Sequence, residues 1–136
     1  MSGEHNLASL LRALRPELHP HEYVFVTVNE RPAGIRAIAT VEEDEGTTLI
    51  LRRSEADSAR LSYEYVAAWI TLRVHSALAA VGLTAIVAAA FADAGLSCDV
   101  VAGYYHDHLF VAYEDRLRAM DVLKALAEYG GLRHTE

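Results

Sequence analysis

The stretch that decides the fold is WITLRVHSALAAVGLTAIVAAAFADAGLSCDVVAGYYHDHLFVAYEDRLRAMDVLKALA, residues 69–127. It begins inside an alternating apolar run, residues 66–74, which is the pattern of a strand. From Leu83 onward the apolar residues recur at helical spacing, and Gly95 stands where a left-handed C-cap is expected. The change of period predicts a strand followed by a helix.

The rest of the stretch predicts a hairpin and a second helix. Residues 96–102 and 109–113 are strand-like and are separated by a short turn segment. Asp115 has the position of an N-cap for a helix that Gly130 would end. The apolar residues of that helix are Leu117, Met120, Leu123 and Leu126.

The predicted order of the second half is therefore β-α-β-β-α. A right-handed crossover through a helix places both helices on one face of an antiparallel sheet. The other face then needs a cover, and Trp69 or Phe110 on that face could mark a homodimer contact.

The first half reads α-β-β-β-α. An amphipathic helix carrying Leu7, Leu10, Leu11 and Leu14 ends before Pro16, and the alternation of residues 23–28 predicts a strand. Residues 35–41 and 47–51 form a predicted hairpin, and Ser54 with Asp57 resembles a capping box. We expect this half to add strands and a second helical layer.

Composition narrows the classes of partner. The 136 residues carry 12 Lys and Arg against 19 Asp and Glu, a net charge of -7, and the basic residues are scattered. Nucleic acid and anionic membranes are poor partners for such a surface. No apolar run approaches the length of a membrane span, and the single Cys98 favours a reducing compartment. We expect a cytoplasmic protein.

Two parts of the chain resemble one family. Residues 69–127 resemble the ACT domains of aspartate kinases and related amino-acid sensors, above all in VGLTAIVAAAFADAGLS and VAGYYHDHLFV. The segments ELHPHEYVFVTV and EEDEGTTLIL resemble a bacterial group of small stand-alone proteins with two ACT-like units, the first of them degenerate or permuted.

This resemblance implies an α+β fold: a ferredoxin-like βαββα(β) unit at residues 63–136, preceded by a degenerate or permuted ACT-like unit at residues 1–62. It also implies a homodimer that binds a small effector, an amino acid or small organic acid. ACT units perform no chemistry of their own, so neither an enzyme nor a cofactor is expected.

The family holds its ligand at the loop between the first strand and the first helix. The matching positions here are Ala80, Val81, Gly82 and Leu83, and Ser97 matches a polar effector-binding position of aspartate kinases. A glycine allows close backbone approach, and the amides at a helix start suit a carboxylate. The Asp and Pro that commonly precede the glycine are absent from this chain.

Three nearby side chains are further candidates for the same site. His75 could contact a ligand or be a solvated residue at a strand end. Ser76 and Thr84 could donate hydrogen bonds to an effector or cap the helix.

Two other functions remain open. His106 and His108 have the i, i+2 spacing of two ligands on one side of a strand, which would suit a metal-dependent hydrolase, although a structural role is the more common one. A protein-protein adaptor would use Trp69 and Tyr104. Calcium binding at the acidic run 42–45 lacks the ligand spacing of a calcium loop, and no catalytic signature motif is present.

Overall fold

The computed structural model describes residues 3–74 and 82–135, with side chains for residues 8–74 and 82–129. Within these ranges the chain forms four α-helices, seven strands and one 3-10 turn. In chain order they are α1 (Gly3–Arg12), β1 (Pro16–Leu18), β2 (Tyr23–Val28), β3 (Ala39–Glu43), β4 (Gly46–Arg52), α2 (Arg53–Ser58), β5 (Val66–Leu72), α3 (Leu83–Asp93), β6 (Asp99–Ala102), β7 (Asp107–Ala112), the 3-10 turn Tyr113–Asp115 and α4 (Arg116–Thr135).

The described strands form one antiparallel sheet in the order β3-β4-β2-β5-β7-β6. Strand β1 lies outside this path and pairs with β5 next to β2, with Leu18 opposite Ile70. Strand β2 continues along the same edge of β5, with Tyr23 opposite Ala67. Strand β5 therefore joins the two halves of the chain into a single sheet.

All four helices lie on one face of this sheet. The largest buried cluster joins α1, α3 and α4 to the residues of β5 and β7 that point toward them. Its fully buried members include Leu14, Ile70, Phe91 and Leu123. Helix α2 covers the same face over β2 and β4, where Ala56 packs with residues of both strands.

The two halves share this core. Leu11 and Leu14 of α1 lie in the cluster built mainly from the C-terminal half, and β1 extends the sheet beside β5. Helix α1 and strand β1 thus pack with the second predicted unit. The boundary between residues 62 and 63 stays a prediction.

The β-α-β-β-α order of the second half and the α+β class are confirmed. The left-handed position of Gly95 is confirmed as well, at φ 74°. Its N–H bonds to the Ala92 carbonyl, and the Leu96 N–H bonds to the Phe91 carbonyl. These two bonds form a Schellman motif, which explains why a glycine ends this helix.

Several predicted details of the first half are wrong. The expected second helical layer does not form among the described residues, because both helices of this half lie on the same face as α3 and α4. Ser54 does not cap α2, since the N-cap is Arg52 and makes no side-chain cap hydrogen bond. Strand β1 was not expected, because three residues that contain a proline give no alternation to detect.

The last helix also differs from its prediction. Helix α4 begins at Arg116, directly after Asp115 as the sequence indicated, but it continues past Gly130, where it was expected to end. Leu117, expected on the buried face, is 64% exposed. No helix in the described part of the chain is long and apolar enough to span a bilayer.

Two leucines of α4 provide a matched test of this packing. Leu123→Ala removes a side chain with 0% exposure, so we expect a loss of about 2 to 5 kcal/mol in the free energy of unfolding, measured by urea denaturation. Leu117→Ala makes the same chemical change at an exposed position and should cost less than about 1 kcal/mol. Equal losses would contradict the orientation of α4.

Candidate functional site

The face of the sheet opposite the helices carries an aromatic cluster centred on Trp69. Alternation along β5 places Trp69 and Thr71 on this face, and their partners across the strand pair, Phe110 and His108, share it. His19 directly follows β1, and its backbone N–H donates a hydrogen bond to the Trp69 carbonyl at 2.9 Å. Strand pairing thus brings three separate segments together.

The rings in this cluster are closely packed. The His19 ring stacks on the Trp69 indole with centroids 3.6 Å apart and planes 14° apart. Tyr23 meets the indole edge-on at 5.3 Å, and Phe110 lies parallel to it at 6.3 Å. Phe110 is fully buried within this one chain, whereas Trp69 remains half-buried.

The direction of the hydrogen bonds follows from the indole, because an indole N–H can only donate. Trp69 Nε1 donates to His108 Nδ1 at 3.1 Å, so that nitrogen is an acceptor without a proton. The Thr71 hydroxyl, 3.1 Å from the same nitrogen, must then donate to it. The Thr71 oxygen accepts from His19 Nε2 at 2.7 Å. His108 is therefore neutral in this arrangement.

Burial and nearby charges favour the neutral form of both histidines. Desolvation is the largest cause that lowers the pKa of His19, and Arg73 and His108 lower it further against the opposing effect of Glu17. Desolvation also lowers the pKa of His108, together with the neighbouring His106. Arg73 is itself held by an ion pair with Glu17 at the edge of the cluster.

Two adjoining hollows open over this face. The larger has a volume of about 640 Å³ and extends from Trp69 toward the start of β2, and the smaller, of about 370 Å³, extends toward β6. Residues 36–38 and Trp69 line both. The larger volume is in the range of pockets that hold small molecules.

The sequence-predicted ligand loop lies only partly within the described chain. His75, Ser76, Ala80 and Val81 fall outside the described residues. Gly82 is the N-cap of α3 at φ 102° and gives no side-chain cap.

The described residues of the loop differ in exposure. Leu83 is buried in the core, whereas Thr84 is exposed in the first turn of the helix. Because Gly82 is the N-cap, Thr84 does not fill that position.

Ser97 is not brought to this loop. It follows the C-terminal end of α3, whose eleven residues span roughly 16 Å. Gly82 and Ser97 thus lie at opposite ends of one helix. A single copy of the chain does not place both at one small ligand.

Residues 103–106 turn between β6 and β7, and His108 is the second residue of β7. Gly103 lies against the His108 ring, and a Cβ there would come within 3.0 Å of His108 Nε2. Within the described ranges, no group of three or more His, Cys, Asp and Glu side chains could hold a metal ion. The hydrolase alternative for His106 and His108 therefore receives no support from the geometry.

Cys98 has no features of a reactive thiol. Burial raises its pKa to about 12, and the adjacent Asp99 carboxylate contributes in the same direction. A thiol with so high a pKa stays protonated and unreactive at neutral pH.

Sequence reasoning missed the role of His19 and Thr71. His19 lies in a segment rich in turn residues, and only the pairing of β1 with β5 places it beside Trp69. One signal was available: Trp69 and Thr71 alternate on the face of β5 opposite the core residues, and a threonine among aromatic residues needs a hydrogen-bond partner.

The topology and the comparisons with known proteins define the class of this molecule. One ACT-domain family model matches residues 2–68 and another matches residues 64–125. The regulatory subunit of aspartate kinase from Thermus thermophilus superposes with a TM-score of 0.62 at 10% identity, over 84% of this chain and 97% of that chain. The fold is the ferredoxin-like α+β fold of ACT domains.

Other solved structures extend the comparison. A Vibrio cholerae protein of unknown function, described as a possible transport protein, is 43% identical with a TM-score of 0.83, covering 93% of this chain and 99% of that chain. An Agrobacterium tumefaciens protein gives 16% identity and a TM-score of 0.64, covering 82% and 87%. A search of curated proteins gives no significant match. This chain belongs to the ACT-domain family.

The lowered pKa values of His19 and His108 predict a pH dependence of stability. The unfolded chain binds protons near the ordinary pKa of 6.5, while the folded chain does so only at lower pH. The stability that these two neutral histidines contribute to the folded state is therefore complete above about pH 6.5. This part of the free energy of unfolding is lost as the pH falls below that value. Urea unfolding between pH 8 and pH 5 measures this decline.

The matched control for this prediction is the double variant His19→Gln and His108→Gln. Glutamine keeps hydrogen-bonding capacity but does not titrate, so the decline between pH 6.5 and pH 5 should be shallower. An identical pH slope in both proteins would rule out the two histidines as its source.

Proposed function

We propose that this chain is a regulatory protein that binds a small effector, an amino acid or small organic acid, and that it performs no reaction and needs no cofactor. The observation that carries the proposal is the match of ACT-domain family models to both halves of the chain. The net charge of -7 argues against nucleic acid as a partner. A cytoplasmic location is part of the same proposal.

The start of α3 is the proposed effector site. Gly82 stands at the N-cap in a left-handed conformation that favours glycine, and the helix has no side-chain cap there. The first-turn amides and the exposed Thr84 hydroxyl suit the carboxylate of an effector. His75, Ser76, Ala80, Val81 and Leu83 complete the proposed site.

A homodimer is the second part of the proposal. Ser97 and Gly82 lie at opposite ends of α3, so a site that uses both requires a second copy of the chain. Strand β6 next to Ser97 is an edge of the sheet, and its Val100 is an exposed apolar residue. Both features suit a contact between copies at this end of the molecule.

An effector screen tests the first part. Amino acids and small organic acids are added to the purified protein, and the melting temperature is measured. An effector at a hundredfold its dissociation constant should add about 2.7 kcal/mol of stability, which is several degrees for a domain of this size. Gly82→Leu should abolish the shift, since the side chain blocks the backbone approach.

The matched control is Gly95→Leu at the other end of the same helix. Gly95 also has a positive φ, so both variants lose stability through strained backbone. Only Gly82→Leu should lose the response to the effector. A response that survives Gly82→Leu would rule out the start of α3, and no response to any compound would rule out the effector.

Sedimentation equilibrium tests the homodimer. We expect a mass of twice 14.9 kDa at micromolar concentration, because each effector site needs groups from two copies. A value of 14.9 kDa in the presence of saturating effector would contradict the shared site.

A further inference from the structure

The two hollows on the open sheet face form a candidate site of their own, and the larger hollow also reaches Ser54 and Glu55 at the start of α2. Their shared wall is residues 36–38, and their shared floor is the half-buried Trp69. Ile38 is 37% exposed, so an apolar surface is accessible beside the indole. His19 covers one face of the indole, and the part of Trp69 that stays accessible lines both hollows together with Ile38.

The wall is held in place by backbone hydrogen bonds. The Ile38 N–H bonds to the Ile50 carbonyl at 2.6 Å, which attaches the segment to the edge of β4. The Arg36 N–H donates to Glu55 Oε1 at 3.3 Å. The Arg36 side chain therefore starts from a fixed backbone position at the junction of the two hollows.

The charge of the lining is opposite to that of the whole chain. Two arginines, Arg36 and Arg52, line the larger hollow with a single carboxylate residue, Glu55, in a chain of net charge -7. Arg52 lies opposite Tyr23 in the pairing of β2 with β4. Across residues 8–74 and 82–129, no side chain pairs with the Arg36 guanidinium, so it keeps its donors for a ligand.

We propose that the surface shared by the two hollows binds a small carboxylate with a flat apolar body. The body lies against Trp69 and Ile38, and the carboxylate faces Arg36. A guanidinium binds a carboxylate through two parallel hydrogen bonds, and an indole offers a rigid apolar surface to a flat group. The site goes beyond the proposed function, because it lies on the other face of the sheet from α3.

The chain contains one tryptophan, so its fluorescence reports directly on this hollow. Benzoate and phenylacetate are the probes, and benzamide, phenylacetamide and acetate are controls that lack either the charge or the flat body. We expect the two acids to change Trp69 emission with saturation at millimolar concentration, and the controls to bind at least about tenfold more weakly. Calorimetry with the same compounds confirms binding independently of the fluorescence.

Variants assign the interaction to Arg36. Arg36→Ala should weaken binding of both acids at least about tenfold, and Arg36→Lys should restore part of it. Arg12→Ala removes the same charge from an exposed position on α1, on the helix face, and should leave binding unchanged.

Three results would overturn the proposal: no binding of either acid, equal binding of acid and amide, or wild-type binding by Arg36→Ala. Gly82→Leu should bind the acids normally. This variant separates the two sites. If the effector screen finds no effector at α3, the binding of benzoate at Arg36 is unaffected, and if benzoate does not bind, the effector site at α3 is unaffected.

Discussion

The pairing of β1 and β2 along one edge of β5 is the constraint on which the rest of the structure depends. Without it, residues 1–62 would carry an exposed sheet edge, and the C-terminal core would lack Leu11 and Leu14 of α1. Because the pairing is antiparallel and in register over both strands, it also fixes which side chains of β5 face the helices.

The same register creates the open face. Ile70 and its neighbours at alternate positions fill the core under the helices, while Trp69 and Thr71 point the other way and meet His108 from β7. Thr71 is 1% exposed, and its hydroxyl is satisfied by two imidazoles. A buried polar network that is fully paired rigidifies its surroundings, so the floor of the hollow is a defined surface.

The two proposed sites would bind a carboxylate through different groups. The start of α3 offers backbone amides and an uncapped helix end, which suits any small carboxylate with little demand on its shape. The hollow offers a guanidinium beside an aromatic floor, which selects for both charge and a flat apolar body. They lie on opposite faces of one sheet whose strands come from both halves of the chain.

The sequence by itself determined the β-α-β-β-α order of the second half, the Schellman end of α3 at Gly95 and the face of Trp69, because these depend on local period and backbone preference. Only the tertiary structure decided the rest. His19 reaches Trp69 through pairing between strands about fifty residues apart in the chain. Leu117 lies outside the core although its spacing fits the buried face. Gly82 and Ser97 are held apart by the length of α3. Periodicity reports the face of each element, but it carries no information on which elements meet.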